Sequence, residues 1–163
     1  MTYTSQIDLQ PSVRNGVLPI LQARLSDTLD LHAQVKQAHW NVKGSGFIAL
    51  HELFDRVAEE IEDAADDIAE RIVALGWIAD GRSGRTAQDT SLPEWPELAQ
   101  RQSDVLNALA AALATHAKAL RHAIDQTTEL GDAGTADLLT GQSRLTDKQL
   151  WLVEAHLSDE IAA

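Results

Sequence analysis

Two pairs of metal-ligating side chains lie in the stretch 47–75, FIALHELFDRVAEEIEDAADDIAERIVAL: His51 with Asp55, and Asp66 with Glu70. Each pair is spaced i, i+4, so on a helix its members are neighbours on one face and can share an ion. Imidazole and carboxylate together suit iron, and they bind zinc as well. One ion cannot serve both pairs, because their midpoints, positions 53 and 68, lie about 22 Å apart along a helix axis. Two copies of the helix laid antiparallel about a twofold axis near residues 60 and 61 resolve the mismatch. The His51/Asp55 end of one then meets the Asp66/Glu70 end of the other, twice. The spacing therefore predicts half-sites completed at a symmetric dimer interface.

The element that must position these groups is a helix of about 28 residues and about 40 Å, bracketed by Gly44 and Gly46 before it and Gly76 after it. Leu50, Phe54, Val57, Ile61, Ala64, Ile68, Ile72 and Leu75 form its core seam. His51, Asp55, Glu59, Glu62, Asp66 and Glu70 form a second stripe that faces away from the chain's own core. Before it, Asn15 as N-cap and Pro19 in the first turn predict a helix over 16–43 that is apolar around much of its circumference. Gly44-Ser45-Gly46 reverses the chain, so the two helices are antiparallel neighbours. His39 and His51 then lie at similar distances from the same hairpin end, each about 7 Å along its axis, and His39, His51 and Asp55 can gather.

Residues 77–96 read as a long crossing connection that runs the length of the bundle or holds a short helix, followed by a helix over 97–129 whose apolar pattern starts at Leu98. A stop at 130–134 precedes a last helix capped by Thr135, with Leu138, Leu139, Leu145, Trp151, Leu152 and Val153 as its inward positions. Residues 1–14 read as a flexible or loosely docked tail and 15–163 as one domain. Four long helices with one long connection between the second and third give an all-α, ferritin-like four-helix bundle.

The composition narrows the partners. With 13 Lys and Arg against 25 Asp and Glu, a net charge of −12 and no cysteine, the chain suits cations, excludes thiolate metal sites and disfavours nucleic-acid phosphates. No apolar run reaches the roughly 18 residues of a membrane helix, and the first residues lack the basic and apolar regions of a signal peptide. A cytoplasmic protein is the expectation, with nucleoid association only if DNA is bound.

Competing readings weigh on several residues. An acidic helix stripe alone is most often a solvated face, and Glu59, Glu62, Asp63 and Asp67 are read as solvated or interface charges. His32 lies one heptad before His39, where a lone helical histidine reads as packing or surface. His116, His122 and His156 have no carboxylate at ligand spacing and read as structural; Trp77, Trp95 and Trp151 read as packing anchors. A di-iron site inside the bundle would need Glu-x-x-His on two helices, a motif that does not occur here.

The strings KQAHWNVKGSGFIALHELFD (36–55), EEIEDAADDIAERIVALG (59–76) and GTADLLTGQSRLTDKQLWLVEAHL (134–157) resemble the Dps family, the mini-ferritins of starved bacteria. The resemblance implies a hollow homododecamer that oxidises Fe(II), preferentially with hydrogen peroxide over oxygen, at dinuclear centres shared between twofold-related subunits. Its ligands would be His39, His51 and Asp55 from one subunit and Asp66 and Glu70 from the other. Trp40 would stand beside the centre, and Lys36 could pair with a ligand carboxylate and hold it in place. Asp132 and Asp137 match the neighbourhood of the aspartates that line the family's threefold entry routes. A non-catalytic shell that buffers zinc or iron at the same positions is the alternative. Unlike members with lysine-rich DNA-binding tails, this chain has no Lys or Arg in residues 1–13, so little or no DNA binding is expected.

Overall fold

The computed structural model describes residues 5–157. Among them are five helices and no strand: α1 (Pro11–Asn41), α2 (Phe47–Ala74), α3 (Ser83–Asp89), α4 (Gln102–Leu130) and α5 (Ala133–Ala155). The four long helices form a bundle in which α1 packs on α2 and α4, and α5 packs on α4 and α2. The seam predicted for α2 is the one buried, from Leu50 and Phe54 through Ile61 and Ile68 to Ile72.

The connection between α2 and α4 is strapped along α1 by side chains. Gln22 exchanges two hydrogen bonds with the backbone of Asp80, 2.8 and 3.1 Å. Higher up, Asp27 accepts from the Ser91 N–H at 2.7 Å, Asp30 from the Thr90 hydroxyl at 2.7 Å, and Gln34 donates to the Pro93 carbonyl at 3.0 Å. Positions 22 to 34 span about 18 Å of helix, which is how twenty irregular residues around the short α3 stay ordered. At the far end, the α4–α5 turn needs only Gly131 and Asp132. Gly131 takes the left-handed conformation, φ 86°, that glycine adopts without a Cβ clash, and closes α4.

Several expectations are corrected. α1 starts at Pro11, which occupies the first helical turn where its missing N–H is harmless, so Asn15 is not the cap and Pro19 sits on an exposed face inside the helix. Of the two readings of the tail, residues 5–10 follow the docked one: the Ser5 hydroxyl donates to the Ala74 carbonyl at 2.8 Å, Arg14 Nε holds the Leu9 carbonyl at 3.0 Å, and Ile7 and Leu9 pack on the core. Residues 1–4 and 158–163 lie outside the described residues, and with them the rest of the tail and the acidic C-terminal end. Leu98 precedes α4 and is 82% exposed; Trp151 is 64% exposed and joins no apolar cluster among the described residues. Trp77 and Trp95, by contrast, do pack against the apolar clusters. Thr135 does not cap α5; Asp132 does, accepting the Thr135 N–H at 3.0 Å.

The apolar core falls into two clusters, one around Phe54, Leu106 and Leu113, the other around Leu21, Ile68 and Leu120. Buried polar side chains lie between them, among them Asp27, Thr28, His116, Gln142 and Thr146. Asp27 is tied to Arg24 at 2.6 Å. His116, whose Nδ1 has no hydrogen-bond partner among the described residues, is pushed down to about 4 by burial, with Asp27 opposing and Arg24 reinforcing the shift. Since the folded chain refuses a proton that the unfolded chain accepts near pH 6.5, this stability is complete above pH 6.5 and is lost as the pH falls toward 4. The loss amounts to roughly 3 kcal/mol per chain over that window. His116→Leu is expected to flatten the decline of the thermal midpoint between pH 6.5 and 4, as followed by circular dichroism.

Candidate metal centre

His39 enters the site from the last turn of α1, and His51 from the first turns of α2. Their imidazoles stack with centroids 3.7 Å apart and planes tilted by 21°. Each Nδ1 bonds the other residue's main-chain carbonyl, His39 to the His51 oxygen at 2.8 Å and His51 to the His39 oxygen at 2.9 Å. A carbonyl can only accept, so both Nδ1 atoms carry the proton and, in the neutral rings, both Nε2 atoms keep a lone pair for a metal. The α1 terminus makes this possible. Lys43 N–H, which a continuing helix would aim at the His39 carbonyl, goes instead to the Gln100 oxygen at 2.9 Å, leaving that carbonyl for His51.

Asp55 completes the cluster. Its Oδ1 lies 2.8 Å from Lys36 Nζ and 3.8 Å from His39 Nε2. The hydrogen bond from Lys36 is the main reason its carboxyl sits below the usual range, so it stays ionised in mildly acidic solution. Lys36 thus makes the pairing with a candidate ligand that its position one turn before His39 suggests. Trp40 lies next in sequence to His39 and is exposed.

Asp66 and Glu70 are exposed one turn apart on α2, beside a groove with Arg71, Val73 and Leu138. Asp55 and Asp66 are separated by about 16 Å of rigid helix, so the chain brings the first three candidates together and keeps the last two away. Among the described residues no three His, Asp or Glu side chains of one chain are set to hold an ion. His32 stands apart from the cluster, lining a cleft with Glu62 and Asp66.

The candidate entry-route aspartates divide. Asp137 is exposed and lines a groove between α2 and α5 with Glu60, Asp63 and Asp67. Asp132 is corrected: it is 1% exposed, caps α5 and binds Arg71 Nη2 at 2.8 Å, so its carboxylate is not presented to a channel. Burial would raise its pKa, but the bonds from the Thr135 hydroxyl and N–H and from Arg71 together hold it below the ordinary value. Nothing local in the sequence marks Arg71 for this role; the Asp-x-x-Thr spacing at 132–135 marks only the helix start that Arg71 braces.

Comparison with known proteins fits this architecture. A family model described as a ferritin-like domain matches residues 19–161. A DNA protection during starvation protein of Agrobacterium fabrum is 39% identical over 159 residues, covering 98% of each chain. One of Mycolicibacterium smegmatis is 34% identical, covering 88% of this chain and 78% of that one. Among solved structures, DpsC from Streptomyces coelicolor superposes with a TM-score of 0.91 at 32% identity, covering 96% of this chain and 92% of that one. Dps from Microbacterium arborescens in a high-iron form does so with 0.87 at 35%, covering 96% and 99%. The fold, the helix order and the extent of these matches lead to one conclusion: the chain belongs to the Dps family of ferritin-like proteins.

Proposed function

We propose that the protein stores iron and protects the cell from oxidative damage, oxidising Fe(II) at dinuclear centres shared between twofold-related copies of a homododecamer. The observation that carries this reading is the reciprocal histidine pair. Two imidazoles locked by each other's backbone, with both Nε2 lone pairs available and an ionised Asp55 adjoining, form a preorganised half-site. A second copy supplies Asp66 and Glu70, which the same helix holds out of reach of its own histidines. The carboxylate and imidazole set suits Fe(II) as substrate and leaves positions open for an oxidant.

With hydrogen peroxide the balance closes on two irons. Each Fe(II) gives up one electron, the O–O bond breaks, and two protons enter to yield two Fe(III) and two waters. Delivering both electrons in one event limits the release of hydroxyl radical. Lys36 holds Asp55 in its ionised, ligand-ready position. Exposed Asp137 and its acidic neighbours concentrate cations on the way in by focusing the field. Stopped-flow oxidation of Fe(II) tests the reading: peroxide is expected to drive it faster than oxygen, and zinc added first is expected to slow both. An uncatalysed rate with either oxidant would leave only a metal-buffering shell.

DNA binding is proposed to be weak or absent, although several relatives are named for DNA protection. Each phosphate contact needs a cation, and the chain carries a net charge of −12 with no Lys or Arg before Arg14. Gel shifts with plasmid at physiological salt and neutral pH are expected to show no retarded complex; a tight, salt-sensitive complex would overturn this. No helix among the described residues is long and apolar enough to cross a membrane.

A further inference from the structure

The outward stripe of α2 carries more than ligands. At 100° per residue, Ile48, His51, Asp55, Glu59, Glu62, Asp66, Glu70 and Val73 fall within an arc of about 100°. Its two ends are large aliphatic residues on the surface, Ile48 at 62% and Val73 at 46% exposure, while its middle is acidic. One exposed aliphatic residue needs no explanation. These two are matched: the register that sets His51 opposite Glu70 and Asp55 opposite Asp66 in an antiparallel pair also sets Ile48 opposite Val73, three residues further out on each helix. Phe47, also exposed, falls opposite Ala74, which lines the groove beside Val73 with Ala69 and Leu138.

We propose that Ile48 of each copy packs on Val73 of the other, and that this apolar contact, made twice, fixes the axial register in which the ligand halves meet. The proposal rests on the reading that the centre is shared between copies, and it names what aligns them. The occupant is a second copy because the stripe is self-complementary about its midpoint, as an isologous interface demands. The acidic centre cannot do the aligning: Glu59 of one copy falls opposite Glu62 of the other, where like charges repel, so attraction has to come from the ends.

The sequence has no cysteine, so introduced thiols report the register without background. The full-length double variant Ile48→Cys/Val73→Cys is expected to give a covalent dimer on a non-reducing gel after oxidation or treatment with a short bismaleimide. An equal mixture of the two single variants is expected to do the same. Neither single variant alone should, since like positions in the pair, and the two positions within one chain, lie about 37 Å apart. No covalent dimer above the single-variant level overturns the proposal. Ile48→Asp gives an independent check: the residue is exposed in the isolated chain, so the fold should survive by circular dichroism while dimer dissociation rises at least tenfold. An unchanged dissociation constant overturns the proposal too. Pairing between His51→Ala and Asp66→Ala chains separates the two readings. Restored oxidation without cross-linking keeps the shared centre and rejects the register contact; cross-linking without restoration keeps the helix pair and rejects the shared centre.

Discussion

His51→Ala and Asp66→Ala are each expected to abolish fast Fe(II) oxidation, and co-expression of the two variants in equal amounts is expected to restore about a quarter of the wild-type centres. The fraction follows from symmetry. Half of randomly formed dimers contain one chain of each kind. In such a dimer one centre receives the intact His51 and the intact Asp66, while the other receives neither. The two substitutions differ in structural cost. Asp66 is exposed on α2, so its truncation leaves the fold nearly untouched. Truncating His51 also removes the donor to the His39 carbonyl and the ring on which His39 stacks, so it loosens the surviving imidazole as well as deleting a ligand. A ligand set contained within one chain predicts no restoration at any mixing ratio. Single-turnover oxidation by peroxide, normalised to assembled protein, reads the difference.

The α2 stripe was legible because period and reach are local properties: which residues share a face, and how far apart they lie, follow from helix geometry alone. The hairpin placed His39 beside His51 for the same reason. The interlocked hydrogen bonds of those histidines were not legible, because they depend on how closely α1 and α2 approach and on Lys43 turning away to Gln100. The start of α1 was misread because Pro11 and Pro19 are both acceptable in a first turn, and only the docking of Ile7 and Leu9 on the bundle decides between them. Trp151 was misplaced because α5 is apolar on several faces, so periodicity could not tell the side that meets α4 from the side left exposed. The pairing of Arg71 with Asp132 joins positions 61 residues apart, beyond any local rule.

That pair carries the second large expectation. Asp132→Ala is expected to destabilise the chain by roughly 3 kcal/mol, combining about 1 kcal/mol for a lost N-cap with the penalty of leaving a largely buried guanidinium without its carboxylate. Three donors converge on that carboxylate: Arg71 Nη2 at 2.8 and 3.0 Å to its two oxygens, the Thr135 N–H at 3.0 Å and the Thr135 hydroxyl at 2.6 Å. Arg71 Nε closes the ring by donating to the Thr135 hydroxyl oxygen at 2.9 Å, a bond that survives the substitution but must then hold the start of α5 to the end of α2 without the carboxylate. For a chain of this size the thermal midpoint should fall by roughly 6 to 12 °C. Asp132→Asn keeps a capping oxygen and should fall in between. The native carboxyl is held below its ordinary value, so the stability it contributes is present above about pH 4 and is lost as the pH falls further, which adds a second acid-sensitive step below that of His116. Asp137→Asn supplies the contrast. It changes an exposed carboxylate, so it should leave the midpoint within about 1 °C while slowing iron uptake by the assembled shell. If Asp132→Asn instead slowed uptake with an unchanged midpoint, the carboxylate would have to face a channel, and the buried pairing with Arg71 could not be its resting state.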